Sequence, residues 1–141
     1  MDWKEMSDKN FKPRIALTAA LAASGVIGLW IIATDAWLWS VAPDHAAGLI
    51  AFVGFDAILA AALWKVVRAA TLGTIVFAGV QLAAMAGDIL FYRPLGVASE
   101  AWVGYLLGNA SFMSLLLLQV AIIGIAVGAT LAAFLRPLRR T

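Results

Sequence analysis

The chain has no cysteine, a single histidine and few charges, and each scarcity removes a class of function. Without cysteine there are no disulfides, no thiolate metal sites and no thiol redox chemistry, while the redox compartment stays open. One histidine supplies at most one axial ligand to a haem. Lys, Arg, Asp and Glu make up 13% of the 141 residues, about half the share usual in soluble domains. Nothing interleaves aromatics with basic residues as nucleic-acid surfaces do, so no nucleic-acid partner is expected. There is no internal repeat, no low-complexity linker and no nucleotide, metal or catalytic motif, and no cofactor is implied.

What fills the chain instead is apolar: 64% of residues are hydrophobic and the mean hydropathy is +0.96. In lipid every backbone N–H and C=O must be satisfied internally, which leaves helices or a closed barrel. Barrel strands would alternate over about 10 residues. Here the apolar runs are long and continuous, which predicts helices. Ile15 to Thr34 carries no charge, Ala46 to Trp64 is interrupted only by Asp56, and Ala69 to Gly87 closes on Asp88. Each is near the ~20 residues that cross a hydrocarbon core.

The last run, Ala101 to Leu135, would make a helix roughly 50 Å long at 1.5 Å per residue, too long for a simple span. A break near Gly108-Asn109 is therefore expected. Before it, Trp102 and Tyr105 favour the membrane interface. The expectation is one all-α integral membrane domain over residues 1–141, four helices in an antiparallel bundle. Its spans fall at about 15–34, 46–67, 69–91 and 111–135, with a short interfacial helix over about 97–109.

The basic residues set an orientation. Lys4, Lys9, Lys12 and Arg14 precede the first span, Lys65 and Arg68 lie in the turn after the second, and Arg136, Arg139 and Arg140 follow the fourth. Four spans put all nine on one side and leave Arg93 on the other. The positive-inside rule then places both termini in the cytoplasm of a multi-pass plasma-membrane protein. The first run is longer than the 7–15 apolar residues of a signal peptide and is expected to stay in the mature chain.

Asp56 is the residue most suited to function. It lies eleven residues into the second run, where a carboxylate costs about 2.5–3.5 kcal/mol to insert and should face protein or water. The second and third spans form a hairpin about Arg68, so residues whose numbers sum to about 137 share a depth, which sets Gln81 level with Asp56. Gln81 and Asp88 share one helix face, as do His45 and Asp56. A polar line therefore runs from His45 and Asp88 at the outer surface to Asp56 and Gln81 near mid-membrane. It reads either as an outward half-channel for protons or a small cation, or as hydrogen bonding between helices.

Asp35, Asp44, His45, Asp88 and Glu100 gather on the outer side but lack ligand spacing, so no metal site is expected. Asp44 suits an N-cap of the second span. Arg93, in the Phe91–Gly96 turn, reads as a solvated interface residue.

Small residues recur at four-residue spacing: Gly79, Ala83 and Gly87; Gly124, Gly128 and Ala132; Ala20, Ser24 and Gly28. This spacing lets helices approach closely. In the third span the stripe lies opposite the Gln81–Asp88 face, one face more than a four-helix bundle needs, and points to contact with another subunit or a second copy. Three functions follow. The first is a non-catalytic accessory subunit of a larger membrane complex, respiratory or otherwise energy-converting. The second is a small oligomeric proton or cation conductor using Asp56. The third is a membrane enzyme with an outer metal site.

Overall fold

A computed structural model describes the backbone of residues 3–65 and 69–135 and the side chains of residues 12–65 and 69–132. Arg68, Arg136, Arg139 and Arg140, and the side chains of Lys4 and Lys9, lie outside that range. The described backbone is helical, without strands. Its elements are α1 (Trp3–Thr34), α2 (Ala36–Val41), α3 (Pro43–Trp64), α4 (Ala70–Leu90), α5 (Ser99–Gly108) and α6 (Ala110–Leu135).

Four of these helices are long and apolar enough to cross a membrane, over Lys12–Thr34, Pro43–Trp64, Ala70–Leu90 and Ala110–Ala132. No more than 28% of each span's most apolar stretch is buried inside the protein. Leu29, Ile58, Leu72 and Leu117 are each more than half exposed. Apolar surface this extensive suits lipid and not water. The chain is a multi-pass membrane protein whose described secondary structure is helical throughout.

Local chemistry sets the helix boundaries. Asp35 ends α1 and starts α2: its Oδ1 accepts from Leu38 N at 2.9 Å, satisfying one of the free N–H groups of a helix start. This short α2, unexpected from the sequence, carries Trp37 and Trp39. Asp44 is not the N-cap of the helix that follows. Ala42 holds that place and Pro43 opens α3, because a residue with no N–H and a helical φ fits the first helical position. Asp44 is left free to turn its carboxylate towards His45 and Tyr92. After α4 the chain turns through Gly96, whose φ of +80° disfavours any residue with a Cβ. The break in the last run falls at Asn109, whose Oδ1 accepts from Ser111 N and Phe112 N at 3.0 and 3.1 Å. That cap starts α6 and turns it away from α5.

α1 packs extensively on α3 and on α6, α4 packs on α6, and the seam between α3 and α4 is looser. α1 and α3 approach tightly at Gly28 of α1, where an added Cβ would stand 2.6 Å from Val53 Cγ2. Val53 is β-branched and stiff, so only glycine lets α1 and α3 meet there. The core forms two apolar clusters. One holds Ile31, Ala46, Met85, Trp102, Leu106 and Leu115; we call its end of the bundle the His45 end. The other holds Leu17, Leu21, Leu63, Ala70, Ala78, Ile122 and Ala126, at the Lys65 end.

Candidate functional site

Between the two clusters each spanning helix contributes one buried polar side chain: Ser24 from α1, Asp56 from α3, Gln81 from α4 and Gln119 from α6, all 2% exposed or less. Gln119 Nε2 donates to Ser24 Oγ at 2.8 Å, and Ser24 lies beside the Asp56 carboxylate. Gln81 Nε2 donates to Asp56 Oδ1 at 3.3 Å. The layer holds two hydrogen-bonded pairs side by side, Gln119 with Ser24 and Gln81 with Asp56. Such groups must find protein partners, because lipid has none to give. The accounting is incomplete: Gln81 Oε1 and Gln119 Oε1 are buried without a hydrogen-bond partner.

A second polar group sits at the His45 end. His45 Nε2 lies 2.7 Å from Asp88 Oδ1 and its Nδ1 lies 3.1 Å from Asp44 Oδ2. The two carboxylates thus stand at opposite edges of one imidazole. Among the described residues no His, Asp or Glu trio is placed to hold a metal. Asp88 is engaged by His45, while Arg93 is exposed in the turn.

Around this group stands a cluster of rings. His45 and Tyr92 have centroids 3.9 Å apart, Trp102 lies 5.7 Å from Tyr92 and 5.6 Å from Tyr105, and Trp37 lies 4.4 Å from Tyr105. Trp102 Nε1 donates to the Asp88 carbonyl at 3.0 Å. Tyr105 donates its hydroxyl to Asp35, which Asn109 Nδ2 also reaches at 3.3 Å. The rings close the His45 end like a lid.

Between lid and polar layer is a cavity of about 250 Å³, the volume of roughly eight waters in the liquid. His45, Asp88, Trp102 and Tyr105 wall one end, Gln81 lies at the other, and Leu49, Phe52, Met85 and Phe112 line the middle. Below Gln81 the Lys65-end cluster is packed with buried Leu, Ile and Ala.

Of the four residues picked from sequence, Asp56 pairs with Gln81 and His45 with Asp88, and the cavity separates the pairs. Ser24 and Gln119 were missed as polar partners. Ser24 read as one of a small-residue stripe, and Gln119 is the lone amide in an apolar run, a signal that deserved weight. Asp35, Tyr105 and Asn109 were not foreseen as a group.

Both tyrosines titrate abnormally. Burial pushes the Tyr105 phenol up, helped by its bond to Asp35 and that carboxylate's charge. Burial also raises Tyr92, with the Asp44 charge second. The folded chain thus holds these protons to higher pH than the unfolded chain, whose phenols ionise near pH 10. The stabilisation is complete below about pH 10 and is lost as pH rises beyond it. Tyrosinate absorbance at 295 nm should accordingly develop above the ordinary range, and Asp35→Asn should bring the Tyr105 step down. An ordinary titration of both tyrosines in the unaltered chain would contradict the lid geometry.

No family model, no curated protein and no solved structure matches the chain.

Proposed function

We propose that the chain is a non-catalytic accessory subunit of a larger membrane assembly, a class that includes respiratory and other energy-converting complexes. The observation that carries this reading is where the small-residue stripes point. Ala20, Ser24 and Gly28 are used inside the bundle, with Gly28 against α3. On α4 and α6, a Cβ added at Gly79, Gly87, Gly124 or Gly128 would meet nothing within 4 Å, and Ala83 and Ala132 are exposed. These smooth faces are left unused by the bundle and suit close approach of helices from another chain.

The arrangement fits a plasma-membrane protein with both termini inside. The two apolar clusters are met in alternate order along α1, α3, α4 and α6, which favours an antiparallel bundle over one domain. The positive-inside rule then sets the Lys65 end in the cytoplasm. Extraction in mild detergent at native abundance, native electrophoresis and mass spectrometry of the band test the role. Migration at fixed stoichiometry with larger subunits is the expected result; migration alone overturns it.

A second reading, uptake of a proton or small cation at Asp56, is favoured by the cavity that leads from His45 and Asp88 to Gln81. The packed Lys65 end restricts it to access from one side. Loss of flux in Asp56→Asn, with folding and assembly intact, is its test.

A further inference from the structure

The cavity between the ring lid and the polar layer has chemistry that selects a ligand. The indole, phenol and amide donors in its wall already serve protein acceptors, and His45 Nδ1, without a hydrogen-bond partner, lies 3.1 Å from Asp44 Oδ2. Trp102 Nε1 is given to the Asp88 carbonyl, Tyr105 and Asn109 Nδ2 to Asp35, and Gln81 Nε2 to Asp56. What remains is acceptor. Gln81 is 2% exposed and lines the far end, and its Oε1 has no partner. A buried acceptor left unpaired is costly, so an occupant that donates there is favoured. At the near end the hydrogen bond of the Asp88 carboxylate runs through Oδ1 alone.

Charge points the same way. Asp88 and Asp44 line the cavity with His45 as the one basic side chain among them, and Asp35 lies just behind Tyr105. The faces of Trp102 and Tyr105 add the environment in which organic cations are held. The middle of the cavity is aliphatic and aromatic, unsuited to a hydrated metal ion. A phospholipid headgroup is disfavoured as well, since its phosphate would stand against two carboxylates.

Access is lateral. Gly48 of α3 and Ala84 of α4 line the cavity and are exposed, at the loosest seam of the bundle. Open space lies beyond Gly48, where an added Cβ would meet nothing within 4 Å. Asp88 and Gln81 are seven residues apart on one helix face, about 10 Å along the axis. An occupant spanning them carries polar groups at both ends and an apolar body between.

We propose that this cavity binds a small organic ammonium ion, with its N–H donors on Asp88 beside the Trp102 and Tyr105 rings and a second donor, a hydroxyl, at its far end reaching Gln81 Oε1. The site stands whether the chain works within an assembly or alone.

Tyramine is the probe, titrated against the purified full chain in phosphatidylcholine nanodiscs, with tryptophan emission and calorimetry as readouts and empty nanodiscs as the blank. Two analogues each remove one feature: tyrosol replaces the ammonium by a hydroxyl, and 2-phenylethylammonium lacks the phenol. Saturable tyramine binding is expected, at least about tenfold tighter than tyrosol, since a charge-assisted bond is roughly twice as strong as a neutral one. It should be several-fold tighter than 2-phenylethylammonium, the share of one neutral hydrogen bond. Asp88→Asn, which can still accept from His45, should remove the advantage of tyramine over tyrosol.

Gly48→Leu, placed at the mouth and outside the packed core, should weaken all three compounds at least about tenfold by filling the opening. It decides the matter should Asp88→Asn not fold. Equal affinity for tyramine and tyrosol, binding indifferent to Gly48→Leu, or no saturable binding of tyramine each overturns the proposal.

Discussion

Trp102→Ala is expected to destabilise the protein by about 3–5 kcal/mol, the range for deleting a fully buried large aromatic. The side chain is 1% exposed and its ring meets Trp37, Tyr92 and Tyr105. Its Nε1–H is also the group that ties α5 to the end of α4 through the Asp88 carbonyl. α5 has only ten residues, shorter than the ~12–15 that an isolated helix needs to be even marginal, and its buried anchors are Trp102 and Leu106. Without the ring, α5 should leave the bundle and unroof the cavity. Far-UV circular dichroism during titration with SDS in mixed micelles would report the stability, and limited proteolysis the release of residues 91–109. Trp102→Phe should keep most of the packing and lose only the hydrogen bond, about 1 kcal/mol. Leu107→Ala, on the same helix but half exposed, should change little. Equal behaviour of Trp102→Ala and Leu107→Ala would mean that the lid does not hold α5.

The difference between what could and could not be read from the chain follows from how each contact is encoded. The spans were legible because a membrane helix is written continuously, and the break at Asn109 because 35 uncharged residues exceed one crossing. Gln81 could be set beside Asp56 because a short turn joins their helices and fixes their relative depth. No such turn joins α1 to α6. Ser24 and Gln119 are 95 residues apart, and their bond depends on the register of two helices that meet only in the folded bundle. The lid was hidden for a related reason. Asp35, Tyr105 and Asn109 converge because α2 and α5 meet at the His45 end, and α2 is too short and too apolar to stand out between two spans. Asp44 read as a cap from its neighbour Pro43, but proline itself preferred the first helical position and freed the carboxylate for His45.

Ser24→Ala removes a single oxygen and is nevertheless expected to cost about 1–3 kcal/mol, because it strands a buried donor. Gln119 Nε2 loses its acceptor in a layer where every spanning helix contributes a buried polar side chain. Each unpaired buried group costs about 1–3 kcal/mol, reduced somewhat because chains unfolded in the membrane also find partners. Ser114→Ala, exposed on α6, provides the comparison and should be near neutral. Adding Gln119→Leu to Ser24→Ala removes the stranded group and should recover part of the loss, a coupling that a double-mutant cycle in SDS titration measures directly. The result also bears on the two functional readings. A structural layer sealed between dry clusters has nothing to replace the hydroxyl, so the loss should be full. A Ser24→Ala protein as stable as the parent would mean that water takes the place of the oxygen, and water can do so only along a wet path to Asp56. The cavity at the His45 end is the candidate path, ending on Gln81, the residue that already donates to that carboxylate. Stability of this one variant therefore separates a carboxylate that ties helices together from one that exchanges protons or cations with the outside.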